Sequence, residues 1–314
     1  MGHSNGRFVG DNPPPYKPDP NKPSNPYVLG YKFEVHSHIA PSPLGSPYTN
    51  DTILPPADMH ESTQLEYCLS HPPRAGSLSD KSMCLEITKA IRLTESEDIQ
   101  SGAQIVVVNQ TMVAKIYDPL YYIPDDFAIK FDAVAMADSD YTREALAYQE
   151  LKEFHGNYVP HYYGSWSCYI STESPTGKTV QRPVRLILME YIQGVSLHEL
   201  LPTELSNEQR SNIMVKVIEL EAMIEHRGGV SQKDIAPRNF ICTGHDYVDP
   251  NLRIVLIDFN VSVVRRLALP VSPIYRWTAN AGDFAYDWLP RARNDRRAWL
   301  LDHFKGSHLF QEAS

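Results

Sequence analysis

From residue 83 to residue 93 apolar and polar positions alternate, with Leu85, Ile87, Ile91 and Leu93 on the apolar side. That period of two predicts a strand. A polar turn over 94–102 follows, then an apolar run at 105–108, a turn at Asn109 and Gln110, and a second run at 112–117. Three short strands joined by tight turns predict an antiparallel meander. A helix should come next, capped by Asp138, Ser139 or Asp140, with Tyr141, Ala145, Tyr148 and Leu151 recurring along one face. Two more strands are expected at 164–170 and 184–191, around a loop holding Pro175, Thr176 and Gly177. The pattern predicts a five-stranded antiparallel sheet with one helix inserted after its third strand.

The second half shifts toward a helical period. Ser206 and Gln209 form a capping box, and Ile213, Val217, Leu220 and Ile224 share one face behind it. Gly228 and Gly229 should end that helix. Short extended stretches are expected at 230–234 and 240–242, and a strongly apolar strand at 253–257. The tail is rich in Trp and Arg (Trp277, Trp288, Arg291, Arg293, Arg296, Arg297, Trp299). It predicts a packed helix over 291–304 with Trp299, Leu300 and Phe304 inward, or, alternatively, a substrate-binding edge.

The N-terminal stretch has no such pattern. Fourteen of the 25 prolines fall in the first 73 residues, seven of them between Pro13 and Pro26. Proline lacks a donor and locks φ, so the expectation is a largely disordered, proline-rich extension over 1–80, with one short helix near 57–69. Its partner is unknown; an SH3-type module is weakly suggested by Pro13, Pro14 and Pro15. The remaining chain divides into an expected N-lobe over 81–192 and C-lobe over 193–314.

Composition narrows the function. With 38 acidic and 29 basic residues the net charge is −9, which argues against a general nucleic-acid binder. No apolar run reaches the roughly 20 residues of a membrane helix, and the polar N-terminus shows no signal-peptide core. Four scattered cysteines without a CxxC pair suggest reduced thiols. The expected location is cytoplasmic, with the nucleus as the other option, and no membrane partner.

Four features carry candidate chemistry. Lys115 sits inside the apolar strand Val113-Ala114-Lys115-Ile116, where a cation wants a carboxylate or a bound anion. The other reading is an edge-strand lysine reaching solvent. Glu144 shares a helix face with Tyr141, Ala145 and Tyr148 and should point inward, toward Lys115; the alternative is a partly exposed charge paired with Arg143 or Lys152. In the run from Gln232 to Asn239, Asp234 and Asn239 stand five residues apart. That loop spacing can set a carboxylate by an acceptor hydroxyl and an amide oxygen on a metal, or can be a plain polar turn. Asp258 ends the apolar run Ile254-Val255-Leu256-Ile257, a good position for a magnesium ligand or for a turn residue.

In this order, Val-Ala-Lys, Arg-Glu-Ala, Lys-Asp-x4-Asn and Ile-Asp-Phe resemble the motifs of the protein-kinase-like superfamily over roughly 83–265. The short tail and the missing Gly after Ile-Asp-Phe look closer to the aminoglycoside/choline phosphotransferase branch and to small fungal kinase-like proteins. The resemblance implies an α+β, two-lobed protein-kinase-like fold: a five-stranded antiparallel N-lobe sheet with one helix and a reduced, mostly helical C-lobe, with ATP and Mg²⁺ bound between the lobes. It implies an ATP- and Mg²⁺-dependent kinase acting on a hydroxyl-bearing protein or small molecule, or a pseudokinase scaffold. By position, Lys115 would hold the α/β-phosphates and Glu144 would orient it. Asp234 would orient or deprotonate the acceptor. Asn239 and Asp258 would ligate magnesium, and Met189, Glu190, Tyr191 and Ile192 would form the hinge that meets adenine.

The sequence also departs from that pattern. The turn over 94–102 has one glycine and three acids, Glu95, Glu97 and Asp98, and acids near a triphosphate are unfavourable unless they face solvent. Gln232 stands where protein kinases usually carry His, which should loosen the loop more than it alters the chemistry. Asn260 replaces the usual Gly, and Asn tolerates a left-handed turn. Only 56 residues follow Asp258, so a peptide-binding platform looks reduced.

Overall fold

The computed structural model describes residues 16–50, 59–94, 102–123, 132–265, 277, 284 and 287–305. They fall into two compact units. The first lies within Met1–Thr142 and Tyr163–Leu188, the second within Arg143–Tyr162 and Met189–Ser314. The whole is α+β, with a large antiparallel sheet and four α-helices among the described residues.

The first unit is a closed barrel of six strands: β1 (Lys32–Ile39), β2 (Ser77–Arg92), β3 (Gln104–Val108), β4 (Met112–Tyr117), β5 (Tyr162–Glu173) and β6 (Thr179–Glu190), in the order β1-β2-β3-β4-β6-β5. The expected sheet had five strands. The sixth strand comes from the stretch assigned to a disordered extension. In β1, Phe33, Val35 and His38 turn inward, and the strand pairs with β2 along one side and with β5 at His36 and Ser37 on the other. Closure removes both sheet edges. The turn after β3 carries Asn109 and Gln110 at φ 49° and 66°, so two successive left-handed residues reverse the chain at the expected place.

The expectation of a largely disordered 1–80 therefore needs correction over 16–50 and 59–80; residues 1–15 and 51–58 lie outside the described residues. Prolines remove donors from this segment, but the side chains between them anchor it. The Tyr16 hydroxyl accepts from Ala133 N–H at 3.0 Å, an Asp19 carboxylate oxygen accepts from Leu65 N–H at 3.1 Å, and the Tyr27 hydroxyl donates to Asp118 at 2.7 Å. The helix expected near 57–69 is a 3-10 turn, Met59–Glu61, followed by α1 (Gln64–Ser70), whose capping box is Thr63 with Glu66.

Asp118 is the hub of the barrel core. It takes two bonds from Arg182, the hydroxyl proton of Tyr27 and the N–H of Leu120. A buried ion pair persists only when such extra bonds satisfy the remaining lone pairs.

Helix α2 (Ala133–Glu150) belongs partly to each unit. It begins some six residues before the expected caps, because the Asp132 carboxylate accepts from Val134 and Ala135 N–H at 3.0 and 2.9 Å and satisfies orphan donors there.

The second unit holds β7 (Val195–Ser196), α3 (Asn207–His226), β8 (Val230–Ser231), β9 (Phe240–Thr243), β10 (Arg253–Leu256), β11 (Val263–Val264) and α4 (Arg293–Phe304). The capping box of Ser206 and Gln209 starts α3 as expected, and Ile213, Val217, Leu220 and Ile224 are all buried. β9 and β10 form an antiparallel hairpin pairing Phe240 with Leu256, and β11 pairs with β8. In α4, Leu300 and Phe304 are buried, whereas Trp299 is half-buried rather than inward.

Candidate functional site

The register of the β9–β10 hairpin sets the geometry of the second unit. Ile257 N–H donates to the Asn239 carbonyl at 2.9 Å, one step beyond the Phe240–Leu256 pair. The residue entering β9 and the residues leaving β10 thus meet at one end of the hairpin. The sequence places Asp258 19 residues after Asn239, across an expected hairpin, and the hairpin observed brings the two backbones to the same place.

Asn239, 3% exposed, spends both amide protons on Asp234: Nδ2 donates to the Asp234 carbonyl and to its Oδ2, each at 2.9 Å. The amide carbonyl oxygen is then the atom left for coordination. Asp234 also faces Arg238, whose Nη2 lies 2.7 Å from Oδ1 and 2.8 Å from Oδ2. Nothing in the sequence pattern singled out Arg238. Its place four residues after Asp234, across the 3-10 turn Pro237–Asn239, is the signal that would have found it.

Asp258 adopts φ 65°, the left-handed region, where a non-glycine residue costs energy and needs its surroundings to hold it. Two contacts do so. The buried Gln232 side chain donates to the Asp258 carbonyl, and Phe259 N–H donates to Glu144 Oε1 at 3.2 Å. Gln232 Oε1 also accepts from Lys233 and Asp234 N–H at 2.8 and 3.2 Å. The residue expected to loosen the loop instead ties the Asp234 backbone to that of Asp258.

Glu144 is fully buried in α2, which removes the alternative of a partly exposed helix charge. Beside it the Tyr148 ring stacks on Tyr162 with centroids 5.1 Å apart and meets Phe259 edge-on at 5.2 Å. Burial first, then the carboxylates of Glu144 and Asp258, push the Tyr148 phenol well above its usual range. Both carboxylates are therefore near one buried ring.

Lys115 lies in the first unit on β4, between β3 and β6 of the closed barrel. It is 3% exposed, so the reading of an edge lysine with its head in water fails. Its Nζ is 5.9 Å from the centroid of the Tyr117 ring.

Of the expected hinge, Met189 and Ile192 are buried and Glu190 and Tyr191 half-buried. Glu190 N–H donates to the His161 carbonyl at 2.8 Å, and its carboxylate accepts from His161 N–H at 3.1 Å. That amide is thus spent inside the second unit. The acidic turn residues Glu95, Glu97 and Asp98 lie outside the described residues.

The donor set suits a hard ion held in part by other ligands. Magnesium takes oxygen donors, commonly one or two carboxylates with water and phosphate supplying the rest. One carboxylate and one amide oxygen match that pattern. A closed cage is not built: among the described residues no three His, Cys, Asp or Glu side chains cluster in a way that could hold a metal ion.

No protein-family model matches the chain. Over 119 residues, 38% of the chain, it is 31% identical to a protein described as serine/threonine-protein kinase D of Synechocystis sp., and the match spans 19% of that protein's length. Among solved structures, WaaP in complex with acyl carrier protein aligns with a TM-score of 0.41 and 14% identity, covering 81% of this chain and 88% of the other. The sequence match supports a protein-kinase-like relationship. Among the described residues no helix is long and apolar enough to cross a membrane.

Proposed function

We propose that the chain is an ATP- and Mg²⁺-dependent phosphotransferase that moves the γ-phosphate of ATP to a hydroxyl group on a protein or a small molecule. The observation that carries this reading is the hairpin end: Asp234 bonded to Asn239, and Asn239 bonded through its carbonyl to the residue before Asp258. A carboxylate for the acceptor, an amide oxygen and a second carboxylate are the parts that phosphoryl transfer reuses.

In this reading the Asp234 carboxylate accepts a hydrogen bond from the acceptor hydroxyl, fixes its lone pair toward the phosphoryl group and takes up its proton as transfer proceeds. Arg238 orients Asp234. Asn239 and Asp258 would hold the magnesium ion, which offsets phosphate charge when bound. Glu144 and Gln232 position Asp258 by holding the N–H and the carbonyl of the peptide group that joins it to Phe259. Lys115 is assigned to the α/β-phosphates, and the segment of Met189, Glu190, Tyr191 and Ile192 to adenine. The contribution of the protein is placement and charge compensation rather than covalent chemistry. The likeness to serine/threonine-protein kinase D agrees with this class of reaction and leaves the acceptor open.

A second reading is favoured by one contact. Arg238 occupies both oxygens of Asp234, which would suit a pseudokinase that binds nucleotide as a scaffold.

Transfer of radiolabel from ATP onto fractionated lysate, run beside Asp234→Asn, tests the first reading. Label that depends on magnesium and vanishes in the variant supports it. Equal label in both overturns the role of Asp234. A thermal shift with millimolar Mg²⁺ and ATP but no product points to the scaffold, since ligand binding to the native state raises apparent stability.

A further inference from the structure

The Trp- and Arg-rich tail has no part in the phosphotransferase reading, yet it builds one wall of a cavity. Between the start of α3, the stretch 287–291 and α4 lies a space of about 560 Å³ lined by Arg210, Ser211, Asp287, Trp288, Arg291 and Trp299, among others. That volume is in the range of small-molecule sites.

Two indoles make its flat surfaces. Trp288 is largely buried and meets Phe284 edge-on at 6.1 Å. Trp299 is fixed twice over: its Nε1–H donates to Ser211 Oγ at 3.2 Å, and its ring stacks on His303 at 4.1 Å. With their orientations set, these rings can receive a planar apolar group without first paying to order themselves.

The charges decide the sign of the ligand. Asp287 already faces Arg291, at 3.5 Å, and both side chains are mostly exposed at the rim, so they largely offset each other. Arg210 is different. Its Nη1 donates to the Pro202 carbonyl at 3.3 Å and its Nη2 to Asn207 Oδ1, both neutral acceptors. Among the described residues it has no carboxylate partner. A half-buried guanidinium beside a cavity, held in place but not neutralised, is suited to a carboxylate or phosphate oxygen.

We propose that this cavity binds a small anion carried on an aromatic body, with the ring against Trp288 and Trp299 and the acid group on Arg210. The cavity lining contains none of the candidate phosphotransfer residues. The proposal therefore does not rest on the phosphotransferase reading.

Isothermal titration of the full chain with phenyl phosphate tests it, with EDTA present so that no magnesium assists binding elsewhere. The expected result is one saturable site with Kd below about 1 mM. Arg210→Gln should weaken it at least about tenfold, as should replacing the probe by inorganic phosphate, which has no ring. Trp299→Phe, which keeps an aromatic ring but loses the bond to Ser211, should weaken it less. Asp258→Ala should leave it unchanged. Absence of saturation up to about 10 mM, or full affinity in Arg210→Gln with a wild-type circular dichroism spectrum, overturns the proposal. Tighter binding of benzylamine than of phenyl phosphate overturns it as well, since the indoles would then be serving a cation. If Arg210→Gln fails to fold, the comparison of phenyl phosphate with benzylamine on the native chain still decides the sign.

Discussion

Two of the aspartate–arginine pairs among the described residues share their chemistry and differ in character. In the first unit Asp118 and Arg182 are 0% and 2% exposed, and Tyr27 and Leu120 complete the bonding of the carboxylate. In the second, Asp234 and Arg238 are 35% and 51% exposed, and the Asn239 amide adds a bond to the Asp234 carboxylate. Burial raises the cost of separating charges, so the first pair locks structure. Exposure lowers that cost, so the second can open to admit a ligand at little expense to the fold. A similar contrast runs through the backbone. Among the described residues the left-handed non-glycine positions of the first unit, Asn109 and Gln110, sit in a hairpin turn, while that of the second, Asp258, follows the apolar strand β10.

The largest effect that would break this contrast is on activity. Asp258→Ala should reduce magnesium-dependent phosphoryl transfer by about 100- to 1000-fold, the scale seen when one charge-stabilising group is removed from an active site. The melting temperature should fall by a few degrees at most, because alanine fits the left-handed backbone less well than aspartate while the Gln232 bond to the backbone carbonyl is kept. Undiminished transfer in that variant removes Asp258 from the chemistry.

Next in size is a loss of stability without a role in transfer. Asp118→Ala strands the Arg182 guanidinium in the barrel core and should cost about 3–5 kcal/mol in urea unfolding. The double variant Asp118→Leu with Arg182→Met should be less damaging than the single one, because it leaves no buried charge. If the single variant costs under about 1 kcal/mol, burial is not what separates the two pairs.

Part of the pH dependence of stability should come from the first unit. His38 is buried against the Tyr141 hydroxyl, and burial, then the charge of Arg185, lowers its pKa from the usual range to about 4. The unfolded chain takes up a proton near pH 6.5 that the native state refuses until about pH 4. Its contribution is therefore complete above pH 6.5 and is lost as the pH falls toward 4. Asp138, paired with Arg74 nearby, is shifted upward by burial and acts in the opposite sense. Comparing unfolding free energies of wild type and His38→Gln between pH 7 and 5.5 isolates the histidine, since Asp138 is common to both. Wild type should lose about 1 kcal/mol more than the variant over that window; identical slopes would show that His38 does not titrate there.

Much of this was legible from local pattern. The period-two strands, the Asn109–Gln110 turn and the capping box of Ser206 with Gln209 are set by residues within a few positions of one another, and they lie where the pattern puts them. The closing strand β1 was not legible. Its evidence is the pairing of His36 with Ser167, more than a hundred residues away, and prolines around it masked a short alternation of Phe33 and Val35. Composition reported the prolines but not the buried partners of Tyr16, Asp19 and Tyr27. At the candidate site the residue types were legible, because a lysine within an apolar strand or an aspartate ending one is locally anomalous. What holds them was not. Gln232 read as a weakening substitution, yet its amide supplies three bonds that only the folded loop reveals.

The smallest expected effect sharpens the comparison most, because it acts on the exposed pair. Arg238→Ala removes the partner of Asp234 and should change the unfolding free energy by less than about 1 kcal/mol, against several for Asp118→Ala. Asp234 keeps its bond to Asn239 and some contact with water, so no buried charge is stranded. The variant also separates the two functional readings. If Arg238 orients Asp234 for transfer, activity falls several-fold while the stability stays put. If Arg238 holds Asp234 closed, removing it frees both carboxylate oxygens and transfer rises or first becomes measurable. Equal transfer in Arg238→Ala and wild type, with equal unfolding curves, would reduce the pair to a surface contact and leave Asn239 as the side chain that positions Asp234.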